Sequence, residues 1–189
     1  MGFSILNLFR ETREIIFTPK EFWEKQRTAF IRPGSMMMQF LFPYLMLIAL
    51  AVFLGEFLRS HHFYAGFALL KSLREVLLFT LQYFFAVFFT NALMKTFGKK
   101  KNRDVARRLV LFSMIPFLLV SVITGLFPFL YVIDVLGMYS FYIFWVGART
   151  LVFFQERKLQ KFILSAILVN FFIFSFLSII LRQILTAYM

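Results

Sequence analysis

Residues 36–58 read MMMQFLFPYLMLIALAVFLGEFL, a run of 23 residues with one charge, Glu56. An α-helix needs about 20 mostly apolar residues to cross a hydrocarbon core, where only internal hydrogen bonding can satisfy its backbone. Four further runs of this kind follow, over about 76–94, 109–131, 135–154 and 162–181. Composition agrees, since 61% hydrophobic residues, a mean hydropathy of +0.80 and 30 Phe in 189 residues exceed what a soluble domain of this size can bury. The chain therefore reads as an all-α membrane protein. Its architecture is a bundle of five transmembrane helices over residues 36–189, preceded by a short amphipathic cytoplasmic segment over residues 1–35.

The fourth run is the shortest. Only 14 residues separate Asp134 from Arg149, so a full crossing requires the Arg149 side chain to reach for the interface. A re-entrant hairpin is the competing reading. A full span is preferred because residues 109–154 hold only those two charges and suffice for two helices joined by a tight turn at Asp134. Pro43, Pro116 and Pro128 fall inside runs, where each removes a backbone donor and favours a kink.

Lys and Arg collect in alternate gaps. Sixteen lie on one side, before the first span and in the second and fourth gaps: six in residues 1–35, seven in 95–108, and Arg157, Lys158 and Lys161. Four lie on the other side, namely Arg59, Lys71, Arg74 and Arg182. Because cytoplasmic loops carry the basic excess, the sequence predicts an inside N-terminus and an outside C-terminus. The same residues account for the net charge of +12 without nucleic acid as a partner. A cleaved signal peptide is not expected, since the first apolar run starts at residue 36 with no small-residue cleavage pattern after it. With no Cys, thiolate chemistry and disulfides are excluded.

Residues 1–35 divide at Thr18-Pro19. Thr18-Pro19-Lys20-Glu21 supplies a capping hydroxyl, a Pro at the first helical position and a Glu three residues after the cap. Phe22, Trp23, Gln26, Ala29 and Phe30 then share one face, with charges opposite, and Arg32-Pro33-Gly34 stops the helix. Phe22, Trp23 and Phe30 are candidate interfacial anchors, with Phe3, Leu6 and Phe9 as a weaker stripe. The plainer reading is that both pieces pack on the cytoplasmic ends of the spans.

The entrance Ile16-Phe17-Thr18-Pro19-Lys20-Glu21-Phe22-Trp23, five spans with an inside N-terminus, and the aromatic run 139–147 ending in Gly147 together resemble the Yip family of Ypt-interacting membrane proteins, particularly its short bacterial members. The resemblance spans nearly the whole chain, and its bacterial side implies a place in a bacterial cytoplasmic membrane. For eukaryotic members it implies membrane-traffic factors that contact small Rab-type GTPases and shape secretory membranes. This chain departs from them in having only about 35 residues ahead of the first span.

Ionisable and polar groups within the runs are the remaining candidates for chemistry. Glu56 and Arg59 read as a local interfacial pair, and Asp134 as a turn or cap. Gln82, Asn91, Ser121, Thr124 and Asn170 read as interhelical packing or, alternatively, a solute pathway; Ser121 and Gly125 also form a small-xxx-small spacing. The loop residues Lys99, Lys100, Lys101, Arg103, Arg107 and Arg108 are candidate contacts for anionic lipid. His61-His62 reads as a surface loop rather than a metal site, because neighbouring side chains on a helix point about 100° apart. No nucleophile elbow, phosphate loop or dinucleotide fingerprint occurs. The sequence thus predicts a non-catalytic membrane protein without cofactor or metal. It would organise membrane or recruit an unidentified protein partner through its basic cytoplasmic face, the alternative being a small carrier or channel for a solute or lipid, completed by homo-oligomerisation.

Overall fold

The computed structural model describes residues 5–28, 36–59, 63–98, 100–152 and 154–187. Phe30, Phe3, the 32–34 stop, His61, His62 and Lys99 lie outside the described residues. No β-strand occurs among those described. The helices are α1 (Ile5–Phe17), α2 (Pro19–Thr28), α3 (Met37–Arg59), α4 (Ala65–Thr96), α5 (Arg103–Leu126), α6 (Tyr139–Leu151) and α7 (Glu156–Ala187), with a 3₁₀ segment, Pro128–Met138, leading into α6. Five of these units, the 3₁₀ segment and α6 counting as one, are long and apolar enough to cross a membrane. The chain is an integral, multi-pass membrane protein.

Each proline acts on its helix in a different way. Pro43 cannot donate, and just before it Met37–Leu41 winds as π-helix, with the Phe42 N–H bonding to Met37 O. Pro116 sits inside α5, where the Phe117 N–H is accepted by Ser140 Oγ of α6 at 3.1 Å. Pro128 ends the third span rather than kinking it. The preceding Phe127 is pushed out of helical geometry (φ −120°, ψ 79°), so α5 stops at Leu126 and the chain turns there, eight residues before Asp134. The fourth span is consequently composite. α6 alone, 13 residues, rises only about 20 Å, and the 3₁₀ segment supplies the remainder.

Two other boundaries move outward. α4 begins at Ala65 rather than near 76, which carries Lys71, Arg74 and Glu75 into the helix, and α7 runs 32 residues from Glu156. At about 48 Å each, these helices exceed a hydrocarbon core of about 30 Å and tilt or project beyond it. α4 closes at Gly98, whose φ of +90° suits a residue without Cβ. Asn102 then opens α5, its side chain accepting from Asp104 N and Val105 N at 3.2 and 3.1 Å.

α5 is the hub, packing against α1, α3, α4, the 3₁₀ segment and α6, while α7 lies mainly along α4. The α3–α5 crossing is close because both partners are glycine at the contact: a Cβ on Gly55 would strike Gly125 O, and one on Gly125 would lie 2.9 Å from Val52 Cγ2. The small-residue spacing at Ser121 and Gly125 thus has its partner on α3. Exposed Phe and Leu, including Phe84, Phe88, Phe129, Leu164, Phe172 and Phe176, form the outer sheath expected where lipid is the solvent.

Candidate functional site

α2 is built into the bundle rather than laid on it. Of the face predicted for it, Phe22, Trp23 and Gln26 are buried, with Pro19 beside them, and the surface they meet is protein, as the plainer of the two readings had it. Trp23 is 0% and Phe22 2% exposed. The indole N–H donates to Ile143 O at 3.1 Å, and the ring lies where a Cβ on Gly147 would be, 2.5 Å from two ring atoms. Phe112 stands edge-on to both aromatics, at 5.9 Å from Trp23 and 5.0 Å from Phe22. Neither side chain is available to anchor in lipid; together they clamp α2 against α5 and α6. The two sequence segments flanking this contact, 16–23 and 139–147, therefore meet in space.

α1 joins the same unit. Thr12 donates to Leu8 O at 2.7 Å and so accepts from the Tyr44 hydroxyl at 2.6 Å, while the Tyr139 hydroxyl donates to Ile16 O at 2.8 Å. Thr18 departs from its predicted capping role, since its hydroxyl donates back to Glu14 O at 3.2 Å. Burial, and secondarily the neighbouring Glu14, raises the Glu11 carboxyl above its ordinary value of 4.5.

The basic candidates divide into two groups. Lys100, Lys101 and Arg103 are exposed at the end of the bundle where α4 meets α5. Arg108 turns inward, donating to Gln26 O at 2.9 Å and tying α2 to α5, and Arg107 is half-buried, 3.4 Å from Asp104. Arg103 and Arg107 also border a groove of about 230 Å³ with Met37, Tyr83, Phe84, Val87, Phe88 and Asn91. Arg149 lies over the Trp145 ring at 5.0 Å.

Four of the five polar candidates, Gln82, Ser121, Thr124 and Asn170, line one cavity of about 580 Å³ enclosed chiefly by α4, α5, α7, the 3₁₀ segment and the start of α6. Asn91 does not join them. Ser121 and Thr124 return their hydroxyls to Phe117 O and Val120 O at 2.9 and 3.2 Å, which leaves the cross-helix contact to Gln82 Nε2, donating to Asn170 O at 3.1 Å. Gln82, Ser113 and Asn170 sit near the midpoints of α4, α5 and α7, so the cavity reaches mid-bundle. Its other end is charged, by Lys71, Arg74, Glu75 and Asp134. Asp134 therefore borders a cavity instead of making the turn. Glu56 also departs from expectation: its carboxylate, 9% exposed, pairs with Lys71 at 2.6 Å across the α3–α4 connection rather than with Arg59.

Among the described residues no group of three His, Cys, Asp or Glu side chains is placed to hold a metal. Neither a curated protein nor a solved structure matches the chain. Residues 13–179 match the Yip1 domain, a stretch that contains both halves of the Trp23–Gly147 contact and all five spans apart from the last residues of α7. On that match, the chain belongs to the Yip1 domain family.

Proposed function

We propose that this protein is a non-catalytic membrane organiser whose basic end faces the cytoplasm and engages negative charge, on anionic lipid or on a protein partner. The N-terminus then lies inside and the C-terminus outside. One observation carries this reading: the Trp23 clamp and the Arg108–Gln26 bond fix α2 beside the α4–α5 connection. Lys100, Lys101 and Arg103 lie exposed on and beside that connection, at the same end of the bundle as the docked α2. Each basic residue near a membrane surface contributes about 1 kcal/mol of attraction to anionic headgroups. In mixed phosphatidylcholine and phosphatidylglycerol bilayers, the triple variant Lys100→Gln, Lys101→Gln, Arg103→Gln should lose at least about tenfold of the phosphatidylglycerol enrichment around the protein. If enrichment is unchanged, and a photo-crosslinker at position 101 captures the same proteins with and without the neighbouring charges, the proposal fails.

The mid-bundle cavity favours a second reading, a small carrier for a solute or lipid, since a pathway needs polar side chains at that depth. Purified protein in liposomes that moves no solute would remove it.

A further inference from the structure

The cavity between α4, α5 and α7 has a chemical bias that neither helix packing nor the basic end accounts for. Asn170 Nδ2 donates to Ala166 O at 2.8 Å and Gln82 Nε2 to Asn170 O. With both amide nitrogens committed to backbone carbonyls, Gln82 Oε1 and Asn170 Oδ1 are left buried without a hydrogen-bond partner, and Ser113 Oγ joins them. The inner end thus gathers two unpaired carbonyl oxygens and a hydroxyl from three helices. Buried acceptors of this kind call for a donor.

The mouth carries the matching charge. Lys71 is paired with Glu56 and Arg74 with Glu75, and Asp134 brings a further carboxylate to the rim. The four ionisable side chains of the lining balance in charge, but Lys71 and Arg74 are each paired, so Asp134 is the rim carboxylate outside both pairs. Arg74 and Gln82 are eight residues apart on one face of α4, so rim and floor are separated by about 12 Å. Between them stand Phe79, Phe117 and Phe174, with ring centroids 4.7–6.3 Å apart. Aromatic walls favour a cation and an apolar body together.

We infer that this cavity binds an amphiphilic amine, its ammonium donating to the carbonyl acceptors or to the rim carboxylates and its apolar body lying against the phenyl walls. An anion would find Lys71 and Arg74 already paired at the rim, with Arg74 Nε as the one donor left over, and would meet Asp134 and two carbonyl oxygens. A plain hydrocarbon chain would leave all three inner acceptors unpaired. The volume of about 580 Å³ falls within the range of small-molecule sites, about 300–1,000 Å³. The ammonium belongs either to a free lipophilic amine or to the ethanolamine headgroup of a phospholipid. This site is distinct from the basic end and stands whether or not that surface engages negative charge.

The test uses the full chain in maltoside micelles, which carry no charge, titrated calorimetrically with 4-phenylbutylamine and with 4-phenylbutan-1-ol. The amine should saturate a single site at least about tenfold more tightly than the alcohol. Asp134→Asn changes an exposed residue and leaves the bundle intact; it should weaken the amine about fivefold and spare the alcohol. Gln82→Met, which keeps the shape without the carbonyl, should weaken the amine as well. Equal affinities for amine and alcohol, or amine binding indifferent to both substitutions with the melting temperature unchanged, would overturn the inference. Titrating phosphatidylethanolamine into the same micelles assigns the source. Competition supports a lipid headgroup as occupant, and its absence supports a free amine.

Discussion

Replacing Trp23 with Ala should release the α1–α2 unit while leaving the five spans in place. The side chain is fully buried, donates one hydrogen bond to Ile143 O and fills the space above Gly147. Truncating a buried Trp costs about 3–5 kcal/mol, and almost all of that falls on the contact between α2 and its neighbours. Amides of α2 exchange with solvent through local opening, so the cost translates into about 10²- to 10³·⁵-fold faster exchange, at 1.4 kcal/mol per factor of ten. Trp23→Phe keeps most of the apolar contact and loses the N–H bond, worth about 1 kcal/mol, so exchange should rise only about fivefold. The assay is hydrogen–deuterium exchange of the protein in nanodiscs, comparing peptides from residues 19–28 with peptides from α5. Refutation would be α2 exchange within twofold of the parent protein in the Ala variant. It would equally be α5 accelerating to the same extent, because the indole would then support the whole bundle rather than dock one helix.

Three other substitutions test separate contacts. Gly55→Ala places a methyl on Gly125 O and should cost about 1–3 kcal/mol in detergent melts, whereas Gly66→Ala, with nothing within 4 Å, should melt as the parent does. Lys71→Met removes one counter-charge from the nearly buried Glu56 and should lower the melting temperature, and adding Glu56→Gln should restore part of the loss. For Glu11, a folded-state pKa raised above its ordinary 4.5 means that folding favours the protonated form. Protection of α1, corrected for intrinsic exchange, should therefore fall as pH rises from about 4.5 through that raised value and level off above it; Glu11→Gln should flatten this profile and protect α1 better at pH 7.

The spans were legible because apolar runs of about 20 residues have one economical solution in lipid. Their ends were harder to read. Charge normally marks the end of a run, yet Lys71, Arg74 and Glu75 are helical, because pairing among themselves and with Glu56 removes the penalty that would have ended α4 near 76. Asp134 looked like a turn for the same reason. The turn instead follows from Pro128 acting on Phe127, a local steric effect visible in the sequence but outweighed by hydropathy.

The buried face of α2 was readable from its period, and packing on the ends of the spans was the plainer reading, but which helices receive it was not legible. An apolar face says that something covers it, not whether lipid or protein does. Only the juxtaposition of Trp23 with Gly147, 124 positions away, decides the matter. Similarly, Gln82 and Asn170 stood out one by one as polar residues in apolar helices, while their pairing depends on α7 lying along α4. Ser113 and Asp134 gained meaning only as neighbours of that pair. A cavity is a property of several helices at once, and no single run encodes it.

The claim on which the basic end depends is that the chain crosses the bilayer an odd number of times with α1 and α2 on the cytoplasmic side. Because the protein has no Cys, single substitutions Asn7→Cys, Lys101→Cys, Gly66→Cys and Gln183→Cys can be probed in intact cells with a membrane-impermeant maleimide, without background labelling. All four positions are exposed. Positions 66 and 183 should label from outside, and positions 7 and 101 only after permeabilisation. Labelling of positions 7 and 183 from the same side would contradict the account.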